Sequence, residues 1–150
     1  MTYASRVRRR RQILGLSQRD LERRSGVRQP LIAAIETGAR TPSPATREAL
    51  DAALETKPST ALKALHDEVV ARFAEVGLPA PVVFGSVARH EDDARSDIDL
   101  MVAFTDDYDI VDLLALEEDL TELLTFPVDV IDARADSRVA EQARREAVPL

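Results

Sequence analysis

An α+β fold in two parts is predicted for this 150-residue chain: an all-α domain over residues 1–57, then a small mixed sheet backed by helices over residues 58–150. Three observations lead there. Residues 1–57 carry 12 Lys and Arg against 6 Asp and Glu, whereas residues 58–150 carry 8 against 21, and such a reversal marks modules with different partners. The basic third reads only as short helical stripes. The acidic remainder mixes helical stripes with short apolar runs in which carboxylates recur at every second position.

With 45% hydrophobic residues, the chain can bury one core of ordinary size or two small ones. The absence of cysteine excludes disulfide frameworks and thiolate zinc sites. No run approaches the roughly 20 apolar residues of a membrane helix. The basic start, Met1 to Arg11, is followed by no apolar stretch, so a cytoplasmic protein with no membrane partner is expected.

Taken in order, Val7, Arg10 and Leu14 set the first helical stripe. Ser17 caps a second helix, Gln18 to Arg24, which stops at Gly26. A third turns Leu31, Ile32 and Ile35 inward and ends before Gly38. Ser43 as cap and Pro44 at the first position open a fourth, running to Leu54.

The string from Leu16 to Pro42 holds two helices, the Gly26 turn and the exit Glu36-Thr37-Gly38-Ala39-Arg40-Thr41-Pro42, and it resembles the helix-turn-helix of the Xre/Cro/phage-repressor family. The resemblance implies operator DNA as a partner. It places Arg28, Gln29, Pro30 and Ala33 against the major groove and sets Gln18 on a phosphate at a helix amino terminus. Because Pro30, Ala33 and Ala34 offer little to base edges, Arg28 and Gln29 carry most of the readout. Phosphate affinity falls to Arg8 to Arg11, Arg23, Arg24 and Arg40. A helical docking or dimerisation module with a solvated arginine face is the other reading of these residues.

Glu55 to Thr60, short, polar and proline-containing, reads as a linker. Beyond it, Leu62, Leu65, Val69, Val70, Phe73 and Val76 predict one amphipathic helix from about Thr60 to Gly77. A strand over 81–84, a Gly85-Ser86 turn, a short helix near 87–90 and a strand over 97–104 follow. A helix over 109–124, a strand over 127–131 and a helix over 136–147 complete the series.

Chemistry concentrates in the strands. Side chains alternate faces along a strand, so Asp97 and Asp99 point one way while Ile98 and Leu100 enter the core. Like charges held that close are costly unless a cation lies between them. Asp129, among the apolar neighbours of Pro127 to Ile131, offers a third carboxylate, and Asp132 falls on the opposite face. The Gly85-Ser86 turn frees backbone N–H groups and a hydroxyl for phosphate oxygens. These features describe a metal-nucleotide site.

Phe84-Gly85-Ser86-Val87-Ala88-Arg89, ten residues between Ser86 and Asp97, and then Ser96-Asp97-Ile98-Asp99-Leu100 resemble the signature of polymerase-β-type minimal nucleotidyltransferases (MNT). The closing Arg145 to Leu150 is similar to the end of such domains. The resemblance implies ATP as substrate and Mg²⁺ held by Asp97, Asp99 and Asp129, with Asp129 also accepting the proton of the attacking hydroxyl. Gly85, Ser86 and Arg89 would hold the phosphates. His90 stands where these domains usually place glycine after the arginine, and the acidic Glu91-Asp92-Asp93 follow it.

An antitoxin is the function this implies, transferring AMP to a tyrosine of a HEPN ribonuclease toxin in a type VII-like pair and regulating its own operon. A homodimer and a toxin–antitoxin hetero-oligomer are both open to it. Two other readings share these residues: a DNA-binding regulator that neutralises a toxin by contact, with a vestigial nucleotidyl site, and a small-molecule nucleotidyltransferase. His66 and His90 are expected at the surface, Asp106, Asp107, Asp109 and Asp112 in a solvated loop and helix start, and Tyr108 in packing.

Overall fold

A computed structural model describes residues 1–150. It divides into two compact units, Met1–Thr56 and Lys57–Leu150. The first is all helix: α1 (Tyr3–Ile13), α2 (Gln18–Ser25), α3 (Gln29–Glu36) and α4 (Pro44–Ala53). Thr2 and Ser17 close capping boxes at the starts of α1 and α2, and Ser43 caps α4, which has Pro44 in its first turn. Leu21, Ile32, Ile35 and Leu50 are fully enclosed with Val7, Val27 and Leu54, so the predicted stripes of all four helices meet in one core.

The second unit holds α5 (Pro58–Ala64), α6 (His66–Glu75), β1 (Val82–Phe84), α7 (Gly85–Ala88), β2 (Ile98–Val102), α8 (Ile110–Leu124), β3 (Val128–Asp132), α9 (Arg138–Glu146) and β4 (Val148–Pro149). Its strands form one mixed sheet in the order β3-β2-β1-β4. β1 runs antiparallel to β2 and β4, and β2 runs parallel to β3. Ile98, Leu100, Leu120, Leu124, Val69 and Phe73 are buried to within 2% between sheet and helices. The α+β class and the mixed sheet backed by helices are as the sequence predicts. No helix is long and apolar enough to cross a membrane.

Two expectations are corrected and one element goes beyond them. The single helix from Thr60 to Gly77 is two, α5 and α6, because Leu65 leaves helical geometry at φ −119° and ψ 25°. Leu62, Leu65, Val69 and Phe73 are buried on both sides of that break, so their spacing could not reveal it. The proposed linker loses its second half, since Pro58 to Thr60 open α5 and Pro58 is buried. Finally, the chain end supplies β4, two residues too short to leave a periodic signal.

The start of α5 explains the acidic loop. Its flanking residue Lys57 provides no side-chain cap. Asp92 reaches in instead, accepting from the Ser59 amide at 2.8 Å and pairing with Lys57 Nζ at 3.6 Å, its side chain wholly buried. Burial pushes the Asp92 carboxyl up, but the Ser59 hydrogen bonds and the Lys57 charge outweigh it and hold the pKa below the usual range.

Candidate functional site

Backbone pairing assembles the carboxylates. In the β1–β2–β3 register, Asp99 lies opposite Phe84 on one side and opposite Asp129 on the other. Asp97 precedes β2 by one residue and shares the face of Asp99, two positions on. The structure brings all three together: one oxygen from each lies within 4.8 Å of the other two. Asp97 and Asp129 are exposed and Asp99 is half-buried.

Burial, reinforced by the charges of Asp97 and Asp129 and only partly offset by Arg89, pushes Asp99 up to about 6. A bound cation would offset the repulsion among the three carboxylates. Carboxylate oxygens bound to Mg²⁺ at about 2.1 Å are separated by roughly 3–4 Å, so a small inward movement of this set suffices. The donor set, all oxygen, suits a hard divalent cation.

Gly85 follows Phe84 directly, at φ +70°. A Cβ there would sit 2.1 Å from Asp99 Oδ2, so only glycine lets this turn pass beside the carboxylate. Ser86 follows with its hydroxyl oxygen buried and unpartnered. A buried polar atom without a partner is costly, so this hydroxyl is available to donate to a bound group.

Arg89 is held by two carboxylates. Its guanidinium donates to Glu91 at 2.8 Å and to Glu146 on α9 at 2.7 Å, with Gln142 bracing Glu146 at 2.7 Å. It remains close enough to lower the Asp99 pKa. His90 adopts φ +60°, the left-handed geometry that the usual glycine takes without strain.

Residues set aside in the sequence fall as expected: His66 and His90 are exposed, Asp109 and Asp112 form the capping box of α8, and Tyr108 stacks on Phe104 at 4.8 Å. Asp132 is not in the cluster; it accepts from the Phe104 and Arg134 amides and pairs with the Arg134 side chain. Two contacts had no sequence signal. Glu117 and Thr121 on α8 accept hydrogen bonds from the Val130 and Val128 amides, on either side of Asp129.

In the amino-terminal unit the structure joins the predicted contact residues. Glu36, 8% exposed, accepts from Arg11 at 2.6 and 3.0 Å and from Gln18 at 2.9 Å. Gln18 in turn accepts from Gln29 at 2.8 Å, so α2 and α3 present their first glutamines as one linked pair. Arg28 and Pro30 stand exposed beside them and Ala33 is half-buried.

Residues 75–150, just over half of the chain, match the family model described as polymerase beta, nucleotidyltransferase. The chain belongs to this nucleotidyltransferase family. Residues 7–60 match the helix-turn-helix model. Two proteins of Methanocaldococcus jannaschii, each named a putative protein adenylyltransferase, are 40% identical over 55 residues and 41% identical over 49 residues. Those alignments cover 37% and 33% of this chain and 59% and 50% of the relatives, so the chain spans only about half the length of either. A solved structure titled as a putative minimal nucleotidyltransferase is 39% identical with a TM-score of 0.54, covering 61% of this chain and 95% of that one. The polymerase-β-type fold and the helix-turn-helix are thus this chain's own.

Proposed function

We propose that this nucleotidyltransferase is a Mg²⁺-dependent protein adenylyltransferase, an antitoxin that moves AMP from ATP to a tyrosine of a HEPN ribonuclease toxin. The observation that carries the reading is the convergence of Asp97, Asp99 and Asp129 to within 4.8 Å beside a turn that only glycine can make. In this reading Asp97, Asp99 and Asp129 hold the cation, which when bound neutralises phosphate charge and polarises the α-phosphoryl group.

The chain's own groups do the rest. Gly85 leaves room for phosphate oxygens beside Asp99, and the Ser86 hydroxyl donates to them. Arg89, released from Glu91 and Glu146, adds charge. The acceptor hydroxyl oxygen bonds to the α-phosphorus, the bond from that phosphorus to the pyrophosphate oxygen breaks, and Asp129 takes the hydroxyl proton. Catalysis is mostly positioning and electrostatics, which this small site can supply.

A protein acceptor fits the surface. Ile110, Val111 and Leu114 on α8 and Val139 on α9 are each about three-fifths exposed, next to a groove of about 420 Å³ that reaches Val130 and Ile131 of β3. From Thr105 to Leu124 the chain has eight carboxylates and no cation, so a basic surface with apolar side chains is the natural complement. The linked glutamines and exposed arginines of the helix-turn-helix support operator binding and autoregulation, by phosphate contacts chiefly and base contacts through Arg28 and Gln29.

Incubating the protein with ATP, Mg²⁺ and the toxin encoded beside it should add the mass of one AMP to a toxin tyrosine. Asp97→Asn and Asp99→Asn should abolish the addition. Toxin neutralisation that survives both substitutions would instead establish inhibition by contact, and transfer to an aminoglycoside alone would establish a small-molecule enzyme.

A further inference from the structure

The third carboxylate stands at one edge of the sheet. β3 is an edge strand, paired only with β2. Asp129 is exposed and carries the same charge as its neighbours Asp97 and Asp99. Repulsion from those two would drive it outward, and a strand held on one side only can yield. Something must hold the outer side.

α8 does so at two points. Residues of β3 alternate in direction along the ladder: Asp129 lies in register with Asp99, and the amides of Val128 and Val130 face away from β2. Thr121 Oγ1 accepts from the Val128 amide at 3.2 Å, and Glu117 Oε1 accepts from the Val130 amide at 2.8 Å. Both acceptors are half-buried and stand four residues apart, one helical turn, on the same face of α8. Their two hydrogen bonds bracket Asp129. The bond to Glu117 is charge-assisted and partly shielded from water, which makes it the stronger of the pair.

We infer that Glu117 and Thr121 are positioning residues for the cation site, clamping the outer edge of β3 so that Asp129 stays in register with Asp99. The inference rests on the reading that these carboxylates hold a divalent cation. An acceptor that merely covered a sheet edge would affect folding alone. The clamp affects the affinity of a folded protein for metal.

The test measures Mn²⁺ binding to the full chain by calorimetry or paramagnetic titration, with no nucleotide and no acceptor. Asp129→Asn should weaken binding at least tenfold. Glu117→Ala and Thr121→Val should each weaken it by roughly tenfold, the range seen when groups that orient metal ligands are removed. Glu117→Gln and Thr121→Ser, which retain an acceptor oxygen, should restore most of it, and the glutamine variant separates the hydrogen bond from the charge. In the Asp129→Asn background Glu117→Ala should add little, and in the otherwise native chain it should speed hydrogen exchange at the Val130 amide. If Glu117→Ala does not fold, Glu117→Asp, one methylene too short for the amide, carries the same expectation.

Wild-type affinity in both Glu117→Ala and Thr121→Val, alongside weakened binding in Asp129→Asn, would overturn the clamp and leave the metal site standing. Unchanged binding in Asp129→Asn would remove the cation reading and the clamp with it.

Discussion

Replacing Gly85 by alanine separates two costs that glycine avoids. The first is backbone strain: an L-residue at φ +70° costs about 1–2 kcal/mol. Gly77, at φ +76° and with nothing within 4 Å of its would-be Cβ, carries that cost alone. The second is collision. At Gly85 the added carbon meets Asp99 Oδ2 at 2.1 Å, and the preceding Phe84 is paired to Asp99, so the backbone cannot retreat without breaking the ladder. The side chain of Asp99 must move, at a cost of roughly 1–3 kcal/mol for forced repacking.

Denaturant unfolding should therefore give a loss of about 0–1.5 kcal/mol for Gly77→Ala, its strain partly offset by about 0.5–1 kcal/mol of chain entropy, and about 1–4.5 kcal/mol for Gly85→Ala. Mn²⁺ affinity should be native in the first variant and at least tenfold weaker in the second. In an Asp99→Ala background the collision disappears, and Gly85→Ala should then cost no more than Gly77→Ala. Equal losses for the two single variants, with native metal affinity in both, would refute the close approach of the turn to the carboxylate.

Asp92→Ala removes the wholly buried acceptor of the Ser59 amide and should destabilise the second unit by about 2–3 kcal/mol, read by urea unfolding; Asp93→Ala nearby, exposed, should cost much less. His90→Gly relieves about 1–2 kcal/mol of left-handed strain and loses about 0.5–1 kcal/mol to chain entropy, so thermal melting should rise slightly. A fall would mean that the histidine side chain contributes more than its backbone costs. Glu36 should make the amino-terminal unit acid-sensitive. Burial raises its pKa, but hydrogen bonds from Arg11 and Gln18 and the charges of Arg11 and Arg8 outweigh that and leave it below the ordinary 4.5. Its contribution is therefore complete above about pH 4.5 and lost as pH falls through the lower folded value, and Glu36→Gln should flatten the pH dependence of melting.

Much of the site was legible because period two is a local property. Asp97 and Asp99 could be assigned to one face from alternation alone, and Gly85-Ser86 from its place after an apolar run, whereas Asp129 joins them only through the β2–β3 register. The helical stripes around Leu21, Ile32 and Ile35 were legible for the same reason, each being set within one helix. What stayed hidden depends on distant partners. Nothing local distinguishes Asp92 from Glu91 and Asp93, which are exposed. Glu117 and Thr121 are polar positions within one helix, and nothing in that helix's own pattern points to the strand they meet seven and more residues later. Arg89 could be matched to a motif but not to Glu146, 57 residues on.

The capping of α5 by a group 33 residues downstream bears on how the chain emerges during synthesis. Every helix of the first unit except α3 has its own local start signal and can close a turn as soon as it leaves the ribosome. α5 cannot secure its first turn until the segment after α7 has been made. The second unit thus acquires an order of assembly in which its earliest helix is stabilised late, and a nascent chain stalled before residue 92 would present Leu62 and Leu65 to chaperones instead of to a core.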